Sequence, residues 1–400
     1  MDIEILHPER LTCWCNRLQF PEPVINDLKG LAEQIQSNPL LIDKFTSLYV
    51  KTSLRGEWRR EWTPLPMDPD VEAVLGEATV RFYFLAYLAA LPIAHQEYLR
   101  RGISEAIFDA TMADIRFWLC QDFSENGTWR FDQFNWIWRH LSCELFRLGR
   151  LQYMLIPFDS GVTAFRHCPS QRILLFADPE LPLRADGYAF EAGKFPPEFK
   201  HLMPEKKAGT PWRPEFREES GGWFGYPVSP YGFVLRQPRF LHRTEWELAL
   251  HRGDTVLDIH IPRGDPFHPE AIRESLQQAQ TFFAGQYPHK PYKALFCHTW
   301  FFTPQLQQIL PPTSNIVRFQ REFYLYPHDG GPGFLWSFVF GEKNTDPASA
   351  PRDTSLRRAV LDWLAEGKEL FDLPGVAFHG PQTWGEQPYM RQWDGSHPRV

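Results

Sequence analysis

The sequence predicts an α+β protein: a helical N-terminal domain, then a mixed β-sheet with flanking helices. Two observations carry this. Through the first 148 residues apolar side chains recur at helical spacing. After Gly149-Arg150 they fall into short β-type runs, and from Trp246 onward the order is strand, strand, helix, strand, helix, strand, strand. That order is a mixed sheet with crossovers, unlike the repeated alternation of a doubly wound nucleotide fold. The 400 residues suffice for two or three domains, and the expected division is 1–148 and 149–400.

In the helical part, Val24, Leu28, Leu31 and Ile35 form one stripe. Pro69-Asp70 opens a long apolar helix, Ile103 to Leu119 repeats the pattern, and Phe131 to Leu148 gives another helix. No Gly-rich phosphate loop occurs there. The most apolar run, Phe82 to Ala94, is too short to span a bilayer and is interrupted by Pro92, so it reads as a buried core helix. Met1 to Glu9 lacks a signal pattern, and a cytoplasmic protein is expected.

In the second part, Leu151 to Phe158 and Arg172 to Ala177 read as strands. Pro179 to Pro238 is irregular and rich in Pro and Gly. Trp246 to Leu250 and Val256 to Pro262 are strands around a turn at Gly253. Pro269 to Tyr287 is a helix with Pro at its start, and Tyr292 to Phe302 is a strand. Pro304 to Leu310 is a short helix. Ile316 to Tyr326 and Gly333 to Phe340 read as strands joined by the hairpin signal D-G-G-P-G. An amphipathic helix, Ser355 to Phe371, ends the regular part.

Composition bounds the chemistry. A content of 43% hydrophobic and 15% aromatic residues supports a large core. The formal net charge of -7 argues against nonspecific binding of phosphate backbones, and neither nucleic acid nor membrane is an expected partner. The six cysteines are scattered, and the C-W-C at Cys13 and Cys15 lacks metal-site or redox spacing.

The segments V-L-D-I-H-I-P-R-G, E-S-L-Q-Q-A-Q-T-F-F and L-P-P-T-S-N-I-V-R-F-Q together resemble a bacterial family of acyltransferases. That family pairs a helical N-terminal domain with a GNAT-like C-terminal domain. Trp136 to Tyr153 looks like the junction of the two parts. The resemblance implies transfer of an acyl group from a CoA thioester to an amine. Acyl-CoA or acetyl-CoA would be the donor substrate, with an acyl carrier protein as the second candidate, and a small-molecule or peptide amine the acceptor. It also implies that two neighbouring parallel strands, Val256 to Pro262 and Tyr292 to Phe302, splay apart around the pantetheine arm. The pyrophosphate would lie over the loop and helix that follow the first strand. Ile261, Arg263, Gly264 and His268 are then the cofactor-binding candidates. This loop, R-G-D-P-F-H-P-E, departs from the usual phosphate loop of the fold. It has one Gly, the carboxylate of Asp265, and prolines at 266 and 269 that remove two backbone donors. A helix N-terminus and Arg263 would still favour an anion. The altered loop also leaves a different class open: a GNAT-derived binding or scaffold protein without turnover.

Strand alternation puts Val256, Asp258 and His260 on one face, and Leu257, Ile259 and Ile261 on the other. A carboxylate beside an imidazole fixes its tautomer and raises its basicity, so His260 oriented by Asp258 is the candidate general base. A hydrogen-bonded polar pair without catalytic work is the competing reading. Cys297 and His298 are adjacent and point to opposite faces, which disfavours a Cys-His nucleophile pair. His298 is a third catalytic candidate or a core histidine. No third ligand has metal spacing, and no metal is expected. Tyr324 and Tyr326 read as core aromatics, and Asn315 as a turn residue. His140, Glu144 and Arg147 share a helix face; with Arg150 they either line the acceptor side or form ion pairs. Trp223 to Gly232 is a lid, an acceptor wall or a packed loop.

Overall fold

A computed structural model of the chain describes residues 2–54, 67–126, 129, 131–190, 210–329, 331, 333–341 and 346–393. The chain divides into two compact units, Met1–Leu148 and Gly149–Val400.

The first unit is helical: α1 (Pro8–Arg17), α2 (Glu22–Ser37), α3 (Pro39–Tyr49), α4 (Pro69–Leu75), α5 (Thr79–Leu88), α6 (Leu91–Arg100), α7 (Glu105–Asn126) and α8 (Phe134–Leu141), then a short strand β1 (Phe146–Leu148). Helices α1, α3 and α4 start on a proline, and α2 and α6 carry one at their second residue, where the missing N–H is unpaired in a first turn anyway. The α2 stripe Val24, Leu28, Leu31 and Ile35 is buried as its spacing predicts. The single long helix expected from Pro69 is two: Gly76 at φ +53° ends α4, and a 3₁₀ turn separates it from α5. By length and composition Pro69–Arg100 could cross a membrane; 67% of its most apolar stretch is packed inside the unit, as in a core helix. The helix expected over Phe131 to Leu148 stops at Leu141, and Cys143 takes φ 56°. Glu144 and Arg147 therefore do not share a helix face with His140.

The second unit holds β2 (Leu151–Pro157), β3 (Val162–His167), β4 (Ile173–Ala177), β5 (Phe216–Glu219), β6 (Gly222–Gly225), β7 (Arg239–His242), β8 (Trp246–Leu250), β9 (Thr255–His260), α9 (Pro269–Gln286), β10 (Leu295–His298), α10 (Leu306–Ile309), α11 (Asn315–Gln320), β11 (Tyr324–Leu325), α12 (Gly333–Phe340), α13 (Ser355–Ala365), β12 (Pro374–Ala377) and α14 (Pro388–Arg391). Its main sheet runs β2-β9-β10-β12-β11, and β3, β4 and β8 form a smaller antiparallel sheet, as do β5, β6 and β7. In the main sheet β9 and β10 pair in parallel, whereas β2–β9, β10–β12 and β11–β12 are antiparallel.

Two expected strands are helices. Ile316 to Tyr326 is α11 followed by the two residues of β11, because Gln320 turns back to donate to the carbonyls of Phe301 and Thr303 at 2.7 and 2.8 Å. Gly333 to Phe340 is α12, with Leu335, Trp336, Val339 and Phe340 buried at helical spacing against α13. A continuous apolar run has no period to separate strand from helix, so tertiary packing decides. The hairpin expected between them does not form as read; Gly330 and Pro332 of D-G-G-P-G lie outside the described residues. The irregular stretch after Pro179 contains β5, β6 and part of the loop to β7, and its residues 191–209 also lie outside. Trp223 to Gly232 is not a lid: Trp223 to Gly225 are paired on both sides in β6, and Val228 and Ser229 are buried.

The first unit contains a buried acid. Asp114 on α7 accepts from the indole N–H groups of Trp136 and Trp118 at 2.7 and 3.2 Å, and its Oδ2 lies 3.3 Å from Nε2 of His140, which is fully buried. Burial opposes its charge, yet His140 and the two indoles outweigh this and hold the Asp114 carboxyl below its ordinary value. His140 is thus a structural partner, not an acceptor-side residue. A carboxyl lowered in the folded state contributes stability above its unfolded pKa, which is lost as the pH falls through the folded value. Asp114→Ala is expected to cost ~3–5 kcal/mol, with a weakened acid dependence, in denaturant unfolding of the full chain followed between pH 3 and 7.

Candidate active site

The β9–β10 ladder ends early. It registers two pairs, Leu257 with Leu295 and Asp258 with Phe296, although β9 continues to His260 and β10 to His298. Each strand stays paired on its outer side: β2 follows β9 as far as Gln152 opposite His260, and β12 follows β10 as far as Pro374 opposite His298. Leu257 donates to the Ala294 carbonyl at 3.0 Å, which sets the phase of the ladder. Its next rungs would join the His298 N–H to the Ile259 carbonyl and the Ile261 N–H to the His298 carbonyl. Neither forms among the described residues. The two strands splay there, and two N–H groups face the gap.

Paired residues of neighbouring strands share a face. Tyr153 and Ile259 face α9, where the Tyr153 hydroxyl and Ser275 Oγ are 2.8 Å apart. Asp258, His260, Phe296 and His298 share the opposite face. On it opens a cleft of about 420 Å³, bordered by Ser160, Phe296, His298, Tyr326, His328 and Pro374 among others.

The structure brings Asp258, His260 and His298 together at the fork. Oδ2 of the buried Asp258 lies 2.9 Å from Nε2 of His260, whose side chain is 26% exposed. Nε2 of His298 lies 3.4 Å from Oδ2 of Asp372, which is 2% exposed. Burial works against the charged form of His298, but Asp372 and then Asp258 outweigh it and raise the imidazole above its ordinary value. The ring of His328 stands edge-on to that of His298 at 4.8 Å. Desolvation of its ring and the charge of His298 lower His328. Cys297 is fully buried; burial, then Asp258 and Asp372, push its thiol well above the ordinary value. A thiolate nucleophile is disfavoured there.

Tyr326 donates to Ser160 Oγ at 2.8 Å, and its phenol is raised by burial. Tyr324 donates to the Val228 carbonyl and is a core residue. Neither Asp372 nor Ser160 has a legible signal. Asp372 follows a helix in F-D-L-P, where nothing periodic distinguishes it from a loop carboxylate.

The cofactor candidates occupy the β9–α9 loop. Gly264 takes φ +110°, a conformation that side chains rarely adopt. Arg150, expected on the acceptor side or in an ion pair, instead clamps this loop. It donates to the carbonyls of Pro262 and Pro266 at 2.7 and 3.3 Å, and its guanidinium lies 5.2 Å from the centre of the Phe267 ring. Arg263 is exposed, with its guanidinium 5.2 Å from the centre of the Phe338 ring. His268 precedes the first turn of α9, capping it without a side-chain bond. Ile261 presents the N–H described above. No cluster of three or more metal-ligating side chains occurs among the described residues.

A splayed parallel pair followed by a loop and a helix is the architecture of a GNAT-type acyltransferase. Residues 145–377 match the family model of the GNAT-like C-terminal domain, and residues 9–143 that of the N-acyltransferase N-terminal domain. The chain belongs to this family of acyltransferases. No curated protein matches it. Among solved structures it is similar to an acyltransferase in complex with decanoyl-CoA and teicoplanin, at 19% identity over 92% of this chain and 87% of that one, TM-score 0.58. It is equally similar to an acyltransferase in complex with CoA and 10C-teicoplanin, at 19% identity over 92% and 88%, TM-score 0.58. At this identity the likeness shows the shared fold. It agrees with the α+β architecture expected from the sequence, and family membership sets aside a scaffold without turnover.

The His298–Asp372 pair generates a test. A histidine raised in the folded state contributes stability that is fully present below its unfolded pKa of about 6.5 and is lost as the pH rises through the folded value. In Asp372→Asn burial dominates, so His298 should titrate below the ordinary histidine value. NMR titration of the imidazole resonances in both proteins measures the crossing.

Proposed function

We propose that this acyltransferase moves an acyl group from a CoA thioester to the nitrogen of a small-molecule amine, by direct attack and without an acyl-enzyme. The observation that carries the reading is the early end of the β9–β10 ladder at Asp258 and Phe296. It leaves a slot for a pantetheine arm and two N–H groups, of Ile261 and His298, for the carbonyl oxygen as it gains charge. The solved neighbours were captured with CoA or decanoyl-CoA, and two of them with a teicoplanin-type molecule. CoA is therefore favoured as donor, and a carrier protein has no comparable support. A cleft of about 420 Å³ suits part of a small molecule.

In this reading the CoA phosphates lie at the α9 N-terminus, with Arg263, Gly264 and His268 around them. Asp265 opposes them, and the two prolines remove donors, so Arg263 carries more of the attraction than in a loop with a full set of amides. The amine nitrogen attacks the thioester carbon. A C–N bond forms, the C–S bond breaks, and CoA leaves as a thiolate. His260, oriented by Asp258, takes the proton lost by nitrogen. His298, biased toward its charged form by Asp372, faces the departing sulfur and supplies its proton.

Calorimetry with CoA and decanoyl-CoA tests the donor: failure of both to bind ends the reading. Thiol release from decanoyl-CoA, screened against a panel of amines, tests the reaction. His260→Ala is expected to lower kcat by about 10²–10⁴-fold with donor affinity retained. Unchanged turnover at every pH would remove the base assignment. Loss of the Asp372 carboxylate should move the alkaline limb of the kcat/KM profile to lower pH, because His298 then gives up its proton sooner.

A further inference from the structure

Helix α12, G-F-L-W-S-F-V-F, is apolar on both faces. Its inner stripe is buried against α13. Its outer stripe is Phe334 and Phe338, which stay 57% and 39% exposed. They stand one turn apart with ring centres separated by 6.4 Å. Two neighbouring phenyl rings held in water invite an occupant.

Their position says which. The Phe334 ring lies 6.3 Å from that of His298, at right angles to it. The Phe338 ring is covered by the Arg263 guanidinium. The stripe therefore begins at the fork, where the thioester carbonyl belongs, and ends at the phosphate loop. A donor anchored at those two points runs its pantetheine arm between them.

We propose that Phe334 and Phe338 form an outer wall for the pantetheine arm of the donor, making α12 a third side of the slot between β9 and β10. This rests on the acyl-CoA reading above. Arg263 then serves two partners. Without donor it rests on Phe338. With donor it turns to the phosphates, and the uncovered ring packs on the arm. The wall contacts a part common to every CoA ester, so it contributes to affinity irrespective of acyl length.

Binding of CoA, acetyl-CoA, octanoyl-CoA and decanoyl-CoA is measured by calorimetry on the full chain and on Phe334→Ala/Phe338→Ala. Both residues are exposed, and thermal melting verifies the fold; Phe334→Leu/Phe338→Leu, which keeps apolar bulk, should restore most of the loss. The expected result is an equal loss for all four ligands, about tenfold for two partly buried aromatic contacts. Pantetheine itself, which lacks the nucleotide, should lose affinity in the double variant and not in Arg263→Ala. A loss that grows with acyl length would assign the stripe to the acyl chain and overturn the proposal. A change confined to the KM of the amine would assign it to the acceptor, and unchanged affinity with loss of self-association in sedimentation would assign it to a second copy; either also overturns it. If the unaltered protein binds no CoA ester at all, the acyl-CoA reading itself has failed.

Discussion

The site depends on a parallel ladder that stops while both of its strands continue. Strands β9 and β10 do not end at Asp258 and Phe296; they lose each other there. Each is kept extended by its other neighbour, β9 by six register pairs with β2 and β10 by four with β12. A slot flanked by an unpaired coil would collapse onto its own backbone groups. One flanked by strands tied from outside stays open, with its free N–H groups aimed inward. At the last outer pair the partner of His298 is Pro374, a residue with no N–H to leave unsatisfied at the rim.

The loop leaving the slot is fixed by the same logic. A segment carrying R-G-D-P-F-H-P has few backbone donors to bond itself with. Arg150, just ahead of β2, donates from outside to the carbonyl of Pro262, which precedes the segment, and to that of Pro266 within it. The loop approaches α9 in a defined shape, and Arg263 within it is exposed, with its guanidinium on the Phe338 ring.

Much of this was legible in the residues. The change at Gly149-Arg150 and the Asp258–His260 face follow from period-2 alternation and element order, and the splayed pair from the resemblance to the acyltransferase family. What escaped has physical causes. The eight residues from Gly333 to Phe340 are apolar except for Ser337, so their helix is decided by α13 and not by pattern. Gln320 is read as a strand residue until its amide is seen donating to two carbonyls of the preceding turn. Asp372 joins His298 from 74 positions away along the chain, and a single sequence has no term for that. Arg150 reads as a surface charge because the two carbonyls it holds lie more than a hundred positions later.

The charges around the fork also bear on which chemistry it can host. Asp258 and Asp372 are both buried, and Cys297 lies between their influences. Both act on two groups: the thiol of Cys297 is raised by burial and then by the two carboxylates, and His298 is drawn toward its cation against burial; the phenol of Tyr326 is raised by burial and by Asp258. Such a field penalises a new anion, and it favours a cation only beside a carboxylate: His328, desolvated and facing the charge of His298, is lowered. An enzyme nucleophile that had to become a thiolate would be opposed at its first step. An amine arriving as ammonium would need a base to release its proton, a role that the proposed reaction gives to the imidazole beside Asp258. The departing CoA sulfur would meet the same field, so it cannot linger as a thiolate and must be protonated as it leaves. In the proposed reaction the imidazole beside Asp372 would meet that requirement, and the two carboxylates would divide the work, one orienting a proton acceptor and the other maintaining a proton donor.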